Sequence, residues 1–182
     1  MFWRIGIFEG GAAARRAALL RFCAESLGLA LERTALAHDK LGAPLLLIDG
    51  VGGDWHVSSA SRENIYLFGL ARERIGVDVE ICDGAPPAWA MLRADERAAL
   101  EALPPAEQSA QFLRYWTAKE AYLKALGVGL RRDPSEFGVS FDAQGRAWVE
   151  CVEVSIWDEA LAGRALVCAS VSLPRTVAAP LP

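Results

Sequence analysis

The sequence predicts an α+β protein built as two similar lobes in one chain. Three observations carry this reading. The apolar pattern runs strand, helix, strands, and then strand, helices, strands. The two series meet near Arg72 to Gly76, at a polar turn between strand-like runs. The length, 182 residues, suits one domain or two small lobes sharing a core. The expected division is residues 1–74 for the amino-terminal lobe, 75–174 for a lobe carrying the chemistry, and 175–182 for a loose, proline-rich tail.

Trp3 to Phe8 alternates as an edge strand, and Ala12 to Leu27 carries apolar residues at helical spacing, with Gly28 as the stop. A second short helix is expected over Ala30 to Ala37. After Gly42-Ala43-Pro44 comes a strand, Leu45 to Ile48, and then a glycine-rich turn from Asp49 to Asp54. Trp55 to Ser59 and Ile65 to Ala71 read as paired strands, and Ile75 to Ile81 as another. Met91 to Leu103 is helical until Pro104-Pro105 interrupts it. Glu107 to Leu126 is the longest helical pattern, ended by Gly127 and Gly129. Three strands follow, Phe137 to Phe141, Ala147 to Trp157 and Arg164 to Leu173, with a hairpin turn at Ala143 to Arg146.

Composition excludes several classes. No apolar run is long enough to span a bilayer. Met1 to Gly11 lacks a charged leader and a cleavage site, which predicts a cytoplasmic protein. The four cysteines, Cys23, Cys82, Cys151 and Cys168, have no metal-site spacing and read as buried reduced thiols. The net charge of −4 does not draw the whole molecule to nucleic acid. The six tryptophans read as mostly core, because no basic residues interleave with them to make a stacking platform.

Two segments carry chemistry. The first is Gly76-Val77-Asp78-Val79-Glu80. In a strand, alternate residues share a face, so Asp78 and Glu80 point one way and Val77 and Val79 the other, into a core. Two carboxylates about 7 Å apart repel unless a cation sits between them. The second is Trp116-Thr117-Ala118-Lys119-Glu120-Ala121-Tyr122-Leu123-Lys124-Ala125. Helical spacing puts Trp116, Glu120 and Lys124 on one stripe, with Lys119 beside it. Taken singly, each segment has a plain explanation, as a polar strand face or as a solvated Glu120–Lys124 ion pair. Together they offer three carboxylates, Asp78, Glu80 and Glu120, and two ammonium groups. That donor set suits Mg²⁺, which takes carboxylates and completes its shell with water and phosphate oxygens. Lys119 and Lys124 can neutralise phosphate oxygens outside the metal's shell. No Walker-type phosphate loop is present.

The two segments, their order and their separation resemble the 4′-phosphopantetheinyl transferase superfamily, in its longer surfactin-synthetase-activating form. The resemblance runs over roughly Trp55 to Phe141, and Glu96 resembles a further acidic position of that family. It implies two similar α+β lobes forming a pseudo-dimer within one chain, with coenzyme A in the cleft between them. It implies transfer of the phosphopantetheine arm of coenzyme A to a serine of an apo acyl or peptidyl carrier protein, releasing 3′,5′-ADP. Asp78, Glu80 and Glu120 are then expected to hold Mg²⁺ on the pyrophosphate. Glu120 is also the expected base for the serine proton, directly or through water. Lys124, with Lys119, is expected to balance phosphate charge. A monomer is the expected state, by analogy with fused lobes.

The family's histidine-bearing strand is here Trp55-His56-Val57-Ser58-Ser59-Ala60. Ser58 fits and is expected on coenzyme A, but Ser59 stands where the histidine belongs. His56 lies three residues away, on the opposite face of a straight strand. The lysine of a preceding Gly-Lys-Pro is here Ala43, which leaves Lys40, or arginines such as Arg15 and Arg33, for the 3′-phosphate. Two alternatives stay open: a relative that binds carrier protein or coenzyme A without transfer, and an unrelated Mg²⁺-dependent phosphoesterase.

Overall fold

The computed structural model of the chain describes residues 1–40 and 42–174, so the expected tail at 175–182 lies outside the described residues. The first series is β1 (Phe2–Ile7), α1 (Ala12–Leu27), β2 (Thr34–His38), β3 (Pro44–Ile48), β4 (Val51–Arg62) and β5 (Ile65–Ala71). The second is β6 (Arg74–Ile81), α2 (Ala94–Glu101), α3 (Pro105–Leu126), β7 (Val139–Phe141), β8 (Ala147–Val149), β9 (Val152–Leu161) and β10 (Arg164–Leu173). Each series forms a five-stranded antiparallel sheet, ordered β1-β5-β4-β3-β2 and β6-β10-β9-β8-β7. The strand order is the same in both. The first strand lies at one edge, the chain crosses by helix to the far edge, and a meander returns to pair with the first strand. The fold is α+β in two repeated halves.

Period-two alternation sorts the side chains into layers. On β5, Phe68 and Leu70 pack with Leu19, Phe22 and Cys23 of α1, whereas Ile65 and Leu67 face the second sheet. On β6, Val77 and Val79 enter that same inter-sheet core, with Leu166 and Cys168 of β10. The opposite face of β10, Ala169, Val171 and Leu173, packs with α3. The order of layers is therefore α1, first sheet, second sheet, α3.

The helix ends follow their local chemistry. Pro105 opens α3, where its missing N–H costs nothing. Gly127 closes α3 in the left-handed conformation, φ 74°, and its N–H returns to the Lys124 carbonyl at 3.0 Å.

Five expectations change. The segment from Ala30 is not a helix; one 3₁₀ turn at Leu31–Arg33 leads into β2, because Thr34 and Leu36 are needed in the buried face under α1. The turn expected from Asp49 to Asp54 is a tight turn at Asp49-Gly50, after which β4 begins at Val51. The strand expected from Ala147 to Trp157 is two strands, broken where Glu150 and Cys151 both take positive φ. Cys82 and Cys151 are exposed, and only Cys23 and Cys168 are buried, where burial pushes both thiols up to about 12. The tryptophans lie at the margins of the cores and none is fully buried; Trp55 stacks under the Arg72 guanidinium at 4.2 Å. Among the described residues no helix is long and apolar enough to cross a membrane.

Gly76 of β6 faces α3 so closely that a Cβ there would stand 1.8 Å from the Ala121 carbonyl oxygen and 2.6 Å from the Ala125 nitrogen. Backbone cannot yield as a flexible side chain can, so Gly76→Ala must push α3 off the sheet. The expected loss is about 3 kcal/mol or more of unfolding free energy, at the upper end for overpacking. Denaturant titration of the variant measures it.

Candidate active site between β6 and α3

Gly76 sets the geometry of the site. Because it lacks a side chain, α3 crosses β6 at backbone contact, and the next residues on the same strand face, Asp78 and Glu80, meet the helix. The two elements run antiparallel. Lys124 Nζ donates to Asp78 Oδ1 at 2.6 Å and to the Val77 carbonyl at 3.2 Å. Two helical turns earlier, Trp116 Nε1 donates to Glu80 Oε1 at 2.9 Å. Glu120 lies on the same helical stripe between them, half-buried. A solvated Glu120–Lys124 pair, the plain alternative for this segment, does not form, because Lys124 turns to the strand. Among the described residues Glu120 has no hydrogen-bond partner.

Asp78 is 1 % exposed. One of its oxygens accepts from Lys124, and the other, Oδ2, is buried with no partner. Burial pushes its pKa up to about 7, against the pull of Lys124, with Glu80 and Glu120 adding to the rise. Glu80 is satisfied differently. Arg62, the last residue of β4, grips it with Nε on Oε2 and Nη2 on Oε1. Sequence reading missed Arg62. Its signal was period two: Ser58, Ala60 and Arg62 share one face of β4, and Ser58 and Ala60 both turn toward the second sheet.

These two cations explain a difference from expectation. Among the described residues no group of three or more His, Cys, Asp or Glu side chains stands ready for a metal ion. Asp78 is drawn to Lys124 and Glu80 to Arg62. The donor chemistry nonetheless fits Mg²⁺: hard carboxylate oxygens, an orphaned buried Oδ2 on Asp78, and Glu120 uncommitted beside it.

The other expected site residues divide. Ser58 is buried and accepts the Val77 N–H at 3.1 Å, tying β4 to β6. It also lines a cleft of about 420 Å³ between the halves, together with Ala43, Ser59, Lys124 and Arg131. Lys124 and Arg131 are the cations among the described residues of that lining. Lys40 is exposed in the turn after β2 and is not part of the lining.

Lys119 does not belong to the cleft. It is fully buried, and its three donors go to Glu96 at 2.5 Å, Pro134 O at 2.8 Å and Met91 O at 3.1 Å. Glu96 also accepts the Arg93 N–H at 2.8 Å and the Val139 N–H at 2.6 Å. The pair therefore binds α2, α3 and β7 together, with no donor left for a phosphate. Helical spacing placed Lys119 beside the stripe, but it turns to the other side of α3, toward α2.

Asp78 carries a pH signature. Its pKa stands at about 7 folded against 3.8 unfolded, so the folded state binds the proton more tightly. Its contribution to stability is greatest below pH 3.8 and declines as pH rises to about 7. Asp78→Asn, which cannot ionise, should lack that decline. Thermal melts of both metal-free proteins between pH 5 and 8 compare the slopes; parallel slopes would contradict the assignment.

A comparison of the chain with curated proteins gives no match. Among solved structures it is similar to an ACPS–CoA complex from Chronobacterium ammoniagenes, with 17% identity over 56% of this chain and 98% of that one, at a TM-score of 0.40. It is also similar to a holo-(acyl-carrier-protein) synthase from Bacillus anthracis in complex with CoA (3′,5′-ADP), with 20% identity over 54% of this chain and 94% of that one, at a TM-score of 0.37. The family model described as ACPS, 4′-phosphopantetheinyl transferase superfamily, matches residues 74–170, more than half of the chain and all of the β6–α3 site. The chain belongs to the 4′-phosphopantetheinyl transferase superfamily.

Proposed function

We propose that the protein transfers the 4′-phosphopantetheine arm of coenzyme A to a serine hydroxyl of an apo acyl or peptidyl carrier protein, with Mg²⁺, and releases 3′,5′-ADP. The observation that carries this reading is the facing of Asp78 and Glu80 on β6 to the Trp116–Glu120–Lys124 stripe on α3, beside an inter-lobe cleft. The carboxylates of Asp78, Glu80 and Glu120 would hold Mg²⁺, which when bound neutralises charge on the pyrophosphate. Glu120 takes the proton from the serine Oγ, directly or through water. The serine oxygen then bonds to the phosphorus that carries the pantetheine arm, and the bridging oxygen departs with 3′,5′-ADP. Lys124, at the mouth between Asp78 and the cleft, balances charge on the departing phosphate. Both walls of the cleft come from one chain, which supports a monomer divided at residues 74 and 75. A cytoplasmic setting agrees with a soluble carrier substrate.

One observation favours a second reading, a relative that binds without transfer. Ala43 and Ser59 make one wall of the cleft neutral where charge would grip the nucleotide end of coenzyme A. A lost charged contact costs about 1.5–3 kcal/mol, or roughly one to two powers of ten in affinity. Such a loss weakens the grip on coenzyme A and so impairs transfer.

The direct test mixes the protein, coenzyme A, Mg²⁺ and an apo carrier protein, and weighs the carrier by mass spectrometry. A mass gain equal to the phosphopantetheine arm is expected; an unmodified carrier would overturn the transferase reading. Glu120→Gln should lower the rate by about 10²–10⁴-fold, the range of a lost general base, with the fold retained by circular dichroism. Ser59→His should tighten coenzyme A binding by roughly 10–100-fold in calorimetry. No change there would show that the neutral wall does not limit binding.

A further inference from the structure

Arg62 is a charged group that the proposed transfer does not use, and it occupies a candidate metal ligand, Glu80. Its side chain is 45 % exposed, whereas the Glu80 side chain it grips is 10 % exposed. It therefore reaches Glu80 from the solvent side of β6. Both Glu80 oxygens are engaged: Oε2 by Arg62 Nε, and Oε1 by Arg62 Nη2 and by Trp116 Nε1. Its remaining nitrogen, Nη1, makes only a 3.3 Å bond to the Ser61 carbonyl. Arg62 also feels the charges of Asp78 and Glu120. The fork thus closes the Glu80 side of the site.

Charge explains why it is there. Three carboxylates packed against one helix repel one another, and Lys124 compensates only Asp78. A second cation balances the charge of Glu80 and holds it aimed at α3. With a divalent ion present, Lys124 and the ion together match three carboxylates, and Arg62 becomes surplus. If it departs, Glu80 keeps its direction through Trp116, and Oε2 is open.

We propose that Arg62 is an exchangeable counter-cation: it holds Glu80 in the metal-free protein and swings off to solvent when a divalent ion binds. This rests on the metal site proposed above. A guanidinium released beside a pyrophosphate is also well shaped to hold a phosphate oxygen pair. Loading the ion then costs the breaking of a charge-assisted fork, so metal affinity in the absence of coenzyme A is set partly by Arg62.

Two measurements on the full chain test this, both without coenzyme A. The first titrates Mn²⁺ into the wild-type protein and Arg62→Ala and follows free ion by electron paramagnetic resonance. The variant should bind at least about tenfold more tightly, the equivalent of one charge-assisted bond no longer broken. The second uses the wild-type protein alone, so it stands even where Arg62→Ala does not fold. An arginine-selective dicarbonyl reagent should modify Arg62 faster after Mg²⁺ addition, read by peptide mass spectrometry. Equal or weaker Mn²⁺ binding by a folded variant, or an Arg62 reactivity unchanged or lowered by Mg²⁺, would overturn the exchange. If transfer to carrier persists in either case, only the role of Arg62 falls. Absence of Mn²⁺ binding in both proteins would overturn the metal site and this inference together.

Discussion

A Cβ at residue 76 would sit inside the van der Waals envelope of the Ala121 carbonyl. That single close approach of β6 to α3 decides which side chains can meet. It brings the strand face carrying Asp78 and Glu80 against a helical stripe repeating every four residues. Trp116 reaches Glu80, Lys124 reaches Asp78, and Glu120 falls between. Meanwhile the opposite strand face, Val77 and Val79, is fully buried between the sheets and anchors β6 in place. A rigid core on one side and backbone contact on the other leave the carboxylates little freedom. This is what a site needs if it is to hold an ion and a phosphate ester in fixed relation.

The buried charges of the second half fall into two sets with different satisfaction. Glu96 and Lys119 form a closed set, with every Lys119 donor paired and both Glu96 oxygens occupied. Removing either partner would strand a buried charge, at a cost of about 3–5 kcal/mol. Such a set holds α2, α3 and β7 in register. The set around Asp78 is open, with an orphaned Oδ2 and an uncommitted Glu120. Incomplete satisfaction at the mouth of a cleft marks where an incoming group belongs.

The strand faces and the stripe were legible because they follow from two periods, two and 3.6 residues, applied to short unbroken segments. Gly28 and Gly127 were legible as stops because no other residue closes a helix so readily. What escaped depended on partners distant in sequence. Lys119 and Lys124 look alike on a helix, and only packing against α2 on one side and β6 on the other separates a structural cation from a site cation. Arg62 is 18 positions from Glu80 and on the other sheet. The segment from Ala30 has helical composition, but the sheet needed an edge strand, and tertiary demand outweighed propensity. The break at Glu150 and Cys151 needs two positive φ values in residues that rarely adopt them, so no turn signal announced it.

The metal site proposed above reduces to one physical statement to test: that carboxylates from β6 and from α3 share a single divalent cation beside the cleft. A crystal of the protein grown with coenzyme A and Mn²⁺ addresses it most directly, because anomalous scattering locates the ion without reference to the surrounding density. The account predicts one peak bounded by Asp78, Glu80, Glu120 and the pyrophosphate. A peak held by phosphate oxygens alone, with Glu80 still in the Arg62 fork and Asp78 Oδ2 still bare, would contradict it.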